Sequence, residues 1–192
     1  MRLFVALDID AAIRQRLADF VSDLRAHVPG VRFVGAENFH ITLKFIGESQ
    51  RLDEIRRALQ PVRSSPFEVA FGGYGFFPDG KRPRVFWAGI EAPPQLQGLA
   101  GQVDTALRPL GFPAERGPYK PHLTLARAGS GSPRLRPGDR ANSQFKPIQE
   151  YLSGRSAPEF GRMTACEFIL FESILSARGA MYKKLERYPF TP

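Results

Sequence analysis

Three histidines occur in 192 residues, and two of them open the same tetrad, His40-Ile41-Thr42-Leu43 and His122-Leu123-Thr124-Leu125. With five threonines in the chain, chance would place Thr two positions after two of three histidines in roughly two sequences per thousand. An extended strand puts residues i and i+2 on one face, about 6.5 to 7 Å apart. Each His therefore shares a face with its Thr, while Ile41 with Leu43, and Leu123 with Leu125, anchor the opposite face. Imidazole, titrating near 6.5, serves as acid or base at neutral pH. A hydroxyl donates to an anionic oxygen. Two such pairs converging on one cleft suit displacement at the phosphorus of a phosphodiester, which needs a base for the attacking oxygen and an acid for the leaving one.

Other chemistries fit the residues less well. A satisfied packing histidine accounts for one H-x-T, but core packing has no reason to repeat a polar pair. Two histidines without H-x-x-x-H, cysteine or acidic companions fall short of the three or four ligands zinc takes, so no metal and no cofactor are expected. No G-x-S-x-G nucleophile elbow occurs. Cys166, the single cysteine, cannot form an internal disulfide and is expected to pack in a buried strand. Gly72-Gly73-Tyr74-Gly75 lacks the spacing of a phosphate-binding loop and is expected to be a turn.

The elements that must carry the tetrads repeat as well. A strand is predicted over Leu3 to Ile9, then Asp10 as a helix cap and a helix burying Ile13, Leu17, Val21, Leu24 and Val28. A short strand near Val31 to Val34, a strand at Phe39 to Ile46, a helix burying Ile55, Leu59 and Val62, and a strand at Phe67 to Phe71 follow. The pattern then restarts with a strand at Val85 to Ile90 and a helix opened by Pro93-Pro94, burying Leu96, Leu99, Val103, Leu107 and Leu110 before Gly111. At an ungapped offset of 82, Phe4 lies on Phe86, Ala6 on Ala88, Leu17 on Leu99, Val21 on Val103 and His40 on His122. Such self-similarity predicts two copies of one unit, about residues 3–46 and 85–128, related by a pseudo-twofold axis. A loop at Ala128 to Gly138, a short helix at Ser143 to Leu152 and closing strands at Met163 to Phe171 and Ala180 to Arg187 complete the reading. The expected fold is α+β, a single bilobal domain over 1–192, with antiparallel-rich sheets, flanking helices and a central cleft.

The hydrophobic content of 43% and charged content of 24% belong to a folding globular chain and exclude wholesale disorder. No apolar run reaches the roughly 18 to 20 residues that span a bilayer, and Asp8 cuts the first apolar stretch short, so a cytoplasmic location and no membrane partner are expected. Lysine and arginine number 27 against 19 acids, a net charge of +8. The excess is densest from Arg127 to Arg155, where Arg134, Arg136, Arg140 and Lys146 face only Asp139 and Glu150. That favours a polyanionic partner.

At these residues the sequence resembles the two-histidine phosphoesterase superfamily, and within it the bacterial and archaeal RNA 2′,3′-cyclic phosphodiesterases, once called 2′-5′ RNA ligases. The likeness covers nearly the whole chain. It includes Met1-Arg2-Leu3-Phe4-Val5-Ala6, the run Asn38 to Glu48, Arg82-Pro83-Arg84-Val85-Phe86-Trp87 and Pro121 to Arg127. The resemblance implies metal-independent opening of a 2′,3′-cyclic phosphate at an RNA end to a 2′-phosphomonoester, with His40 as proton donor and His122 as proton acceptor. Thr42 and Thr124 would bind the phosphate. It also implies an aromatic and an arginine near the nucleotide, here Phe45 and Arg127, each five residues after its histidine. Strict alternation turns both away from the cleft, so they require a bulge or a strand end. The stretch from Ser130 to Arg140 is longer and more basic than the family pattern. RNA is the expected partner, no protein partner is implied, and a monomer is expected. The alternatives are RNA joining to a 2′-5′ linkage and a non-catalytic RNA-end binding module.

Overall fold

The computed structural model describes residues 1–114, 117–128, 143–176 and 179–191. The loop expected at Ala128 to Gly138, and with it Arg134, Arg136 and Arg140, lies almost wholly outside the described residues. Among the described residues, eight strands form two four-stranded antiparallel sheets. In the first, β2 (His40–Glu48), β1 (Arg2–Asp8), β7 (Glu167–Ser176) and β8 (Gly179–Pro189) lie in that order. In the second the order is β5 (His122–Arg127), β4 (Val85–Glu91), β3 (Phe67–Phe77) and β6 (Glu159–Ala165). This is the expected α+β class.

Helix α1 (Ala11–His27) starts at Asp10, whose carboxylate accepts from the Ile13 amide at 2.8 Å, and its apolar stripe buries Ile13, Leu17, Val21 and Leu24. Capping of this kind satisfies an amide that would otherwise be orphaned. Helix α3 (Pro94–Leu107) begins on a proline and gives way to a single 3-10 turn closed by Gly111 at φ +83, a backbone only glycine adopts at no cost. The shorter α2 (Leu52–Leu59) and α4 (Lys146–Leu152) bury Ile55 with Leu59 and Ile148 with Leu152. Buried side chains of both sheets and all four helices form one contiguous core. A smaller apolar cluster of Phe4, Ala6, Ile169 and Phe171 lies apart from it, on the other face of the first sheet.

The structure departs from the sequence reading at five places. Val31 to Val34 forms no strand, only a single bridge between Phe33 and Ala126. Strand β3 does not stop at Phe71 but continues through the glycines to Phe77, with a bulge between Phe71 and Tyr74. The glycines are used for closeness: a Cβ on Gly75 would lie 2.2 Å from the Trp87 ring, and Gly73 takes φ +66 in the bulge. Met163 to Phe171 is two strands in different sheets. The side chains that join the main core run Met163 and Ala165, then Phe168 and Leu170, so the phase of alternation changes at Cys166. That cysteine is exposed at the crossover, not buried in a strand.

The fifth difference concerns the repeat. Thr42 sits opposite Ala6, and Thr124 opposite Trp87, so the strands flanking the two tetrads correspond at an offset of 81, not 82. Phe4 thus matches Val85, and the residue that matches Phe86 is Val5. Phe4 belongs to the outer cluster and Phe86 to the core. A one-residue slip exchanges the two faces of a strand, and matching Phe to Phe compares residue types where only facing matters.

Candidate active site

His40 and His122 are the first residues of β2 and β5, and these strands are the edges of their respective sheets. The two edges meet. The Tyr119 hydroxyl donates to the Thr42 carbonyl at 2.9 Å, and the Val34 amide donates to Leu125 O at 2.8 Å. The fold therefore brings the two tetrads to one seam.

Both imidazoles are held in the same way. Nδ1 of His40 lies 2.7 Å from Asn38 O, and Nδ1 of His122 lies 2.8 Å from Lys120 O. A carbonyl only accepts, so Nδ1 carries the proton in each ring and Nε2 is the atom left for chemistry. In His40 that Nε2 lies 3.0 Å from Thr42 Oγ1. Aromatic rings wall both sites: Phe4 and Tyr182 stand 4.9 and 5.2 Å from His40, and Phe77 stands 4.8 Å from His122, edge-on. Sequence reading missed these rings. The continuous apolar run Leu3 to Leu7 is the signal that could have found Phe4, since it marks a strand covered on both faces.

Phe45 and Arg127 reach the seam by the bulge that alternation requires. Between β1 and β2 the register passes from Ala6↔Thr42 to Val5↔Lys44, skipping Leu43. Between β4 and β5 it passes from Trp87↔Thr124 to Phe86↔Ala126, skipping Leu125. Two consecutive residues are therefore buried in each strand, Leu43 with Lys44 and Leu125 with Ala126. The next residue returns to the face of the tetrad. Phe45 is 54% exposed with its ring 6.1 Å from Phe4, and Arg127 Nη2 reaches Thr124 Oγ1 at 3.5 Å.

Burial drives the titration of both rings. It lowers His40 to about 4, against the Asn38 carbonyl and the Asp8 carboxylate, which favour the cation, and with Arg127 and His122, which oppose it. His122 is also lowered, by burial first and by Arg127, with the Lys120 carbonyl acting in the other direction. Arg127 thus opposes the cation on both rings, and His122 opposes it on His40. A pocket of about 630 Å³ opens beside His40, with Asp8, Arg14, Asn38, Tyr182 and Lys184 in its wall, while His122 lies outside it. Among the described residues no group of three or more His, Cys, Asp or Glu could hold a metal ion, and no helix is long and apolar enough to cross a membrane.

The chain and its fold are also similar to those of known proteins. Residues 9–168 match the family model described as the 2′-5′ RNA ligase superfamily. The chain is 36% identical to an RNA 2′,3′-cyclic phosphodiesterase of Archaeoglobus fulgidus, over 96% of this chain and 98% of the relative. It is 32% identical to one of Methanothermobacter thermautotrophicus over 97% of each. Among solved structures, a Thermus thermophilus protein superposes with a TM-score of 0.76 at 27% identity, covering 99% of this chain and 98% of the other. Escherichia coli LigT complexed with 3′-AMP gives 0.74 at 25% identity, covering 100% and 98%. With a family match over most of its length and close relatives along nearly all of it, the chain belongs to the 2′-5′ RNA ligase superfamily.

Proposed function

We propose that the protein hydrolyses RNA 2′,3′-cyclic phosphate ends to 2′-phosphomonoesters by metal-independent acid-base catalysis between His40 and His122. The observation that carries this reading is the shared anchoring of the two imidazoles, each with Nδ1 on the carbonyl two residues earlier, which leaves Nε2 as the atom for proton transfer. Relatives along the full chain are named RNA 2′,3′-cyclic phosphodiesterases.

In this reading water attacks phosphorus and gives its proton to His122 Nε2, while the P–O3′ bond breaks and O3′ takes a proton from His40 Nε2. The ring opens to a 2′-phosphomonoester. His122 must be neutral, which its lowered pKa favours. His40 must be protonated, and with its pKa lowered to about 4 by burial the neutral ring is the dominant form at pH 7 in the empty site. The anionic phosphodiester supplies the missing stabilisation when it binds beside the ring. Thr42 and Thr124 donate to the non-bridging oxygens, Arg127 balances their charge, and Phe45 offers an exposed ring on which a base can stack. The excess of positive charge suits an RNA strand.

The test is incubation of the protein, with chelator present, with an oligoribonucleotide ending in a 2′,3′-cyclic phosphate. The expected product is a 2′-phosphomonoester that phosphatase removes. Recovery of substrate unchanged but bound would show a binding module, and joined 2′-5′ products would show a ligase.

A further inference from the structure

The two halves of the seam differ at one position directly opposite the histidines. In the β1–β2 ladder His40 pairs with Asp8, and in the β4–β5 ladder His122 pairs with Gly89. The glycine is enforced by the fold, because a Cβ at Gly89 would lie 2.3 Å from the Gly72 carbonyl oxygen. No carboxylate can therefore stand across from His122 unless β3 and β4 part.

Asp8 is built in. Its Oδ1 accepts from the Ile9 amide at 2.9 Å and from Arg14 Nη2 at 2.6 Å, and its Oδ2 accepts from Lys184 Nζ. These donors and cations outweigh burial and hold the carboxyl below the usual aspartate range, so it is charged throughout the neutral range. Arg14 extends the frame: its Nη1 donates to the carbonyls of Ala36 and Phe39 at 2.5 and 3.3 Å. Those residues flank Asn38, whose own carbonyl takes the His40 Nδ1 proton. One carboxylate thus supplies a negative charge near the ring and, through Arg14, steadies the carbonyl that orients it.

We propose that Asp8 is the positioning residue of the acid half, stabilising the imidazolium on His40 where the base half has only Gly89. This rests on the assignment of His40 as proton donor under the proposed function. The charges that oppose a cation on His40 are Arg127 and His122 across the seam, and two further cations, Arg14 on α1 and Lys184 on β8, stand in the same pocket wall, both paired to Asp8. Glu37 lines the pocket from the short turn before β2, and Tyr182 covers the ring from β8. Lys184 is the informative one, because it both neutralises Asp8 and adds a cation of its own.

The test is a titration of the histidine ring resonances by NMR in the ligand-free protein, with exposed His27 as internal reference. Asp8→Asn, which keeps the shape, should move the His40 midpoint down, and Lys184→Met should move it up, each with little change at His122. Opposite signs are the signature of charge, since a bridge that only stiffened the fold would shift both variants the same way. An unmoved His40 midpoint in Asp8→Asn, or shifts of one sign in both variants, would overturn the proposal. If Asp8→Asn does not fold, Asp8→Ser takes its place, a fall of the His40 midpoint supporting the proposal and a rise or no change overturning it. Turnover of the cyclic-phosphate oligonucleotide by Asp8→Asn should fall about tenfold at neutral pH per unit of lowered midpoint and recover toward wild type in acid. A wild-type protein inert toward that substrate would sink the functional reading while the titration still judged Asp8.

Discussion

Lys44 Nζ donates to Asp104 Oδ1 at 2.6 Å inside the core, and to the Pro113 carbonyl at 2.5 Å. The lysine is only 2% exposed. It is the residue that the β2 bulge turns inward, so this ion pair ties the bulge to α3 and leaves Phe45 to face the seam. Arg108 closes the other side of Asp104 at 2.7 Å.

Removing one partner of a buried ion pair costs more than replacing both. Asp104→Ala should therefore cost about 3 to 5 kcal/mol in urea unfolding, whereas Asp104→Ala with Lys44→Met should recover much of the loss. If the double variant were as unstable as the single, the cost would lie in packing and not in the lost ion pair. Among folded variants, Lys44→Met should raise KM for an oligonucleotide more than it lowers kcat, because it acts through the pose of Phe45.

His40→Ala and His122→Ala should each slow turnover by about 10² to 10⁴-fold with folding preserved, and the losses should not add. Single-turnover kinetics on a cyclic-phosphate oligonucleotide measure this directly. A double variant that kept most of the wild-type rate would disprove the acid-base pair.

Thr42→Val and Thr124→Val should each lose about 1 to 3 kcal/mol of transition-state stabilisation, the worth of one hydrogen bond to a charged oxygen. Thr42→Val also removes the partner 3.0 Å from His40 Nε2. Unchanged kinetics in both variants would reduce the hydroxyls to a packing role.

The pH profile follows from the direction of both shifts. The proposed mechanism needs His40 protonated and His122 neutral, and both rings titrate below 6.5 in the free protein, His40 at about 4. The bell of kcat/KM should therefore peak on the acid side of 6.5 and decline as pH rises through neutrality. For kcat the decline should come at higher pH, since bound phosphate raises His40. The same shifts bear on stability: the unfolded chain binds more protons below pH 6.5, so stability is lost as pH falls from 6.5 toward 4. His40→Ala should reduce that loss. A rate that climbed steadily with pH and vanished with chelator would indicate a metal-bound hydroxide instead.

Binding of an oligonucleotide should weaken with salt at a slope of about −0.7 per phosphate contacted, whereas a cyclic mononucleotide should respond much less. Arg127→Ser should weaken both, because that side chain lies at the tetrads. Equal slopes for the two ligands would make the net charge of +8 a general surface property.

The repeated H-x-T-L tetrad, the capped and periodic helices and the α+β class were legible because each is a local pattern. A strand's period of two fixes which neighbours share a face, and a helix stripe fixes which side is buried. Three things that complete the seam were not local. The bulges after Thr42 and Thr124, which turn Phe45 and Arg127 back to the tetrads, are properties of a ladder between two strands. The crossover at Cys166 depends on which sheet each half of an apolar run joins. The placement of Asp8 against His40 and of Gly89 against His122 depends on register, and an ungapped comparison misses it by one residue. Sequence periodicity specifies faces only while a ladder stays in register, and register is set by pairing between segments far apart in the chain.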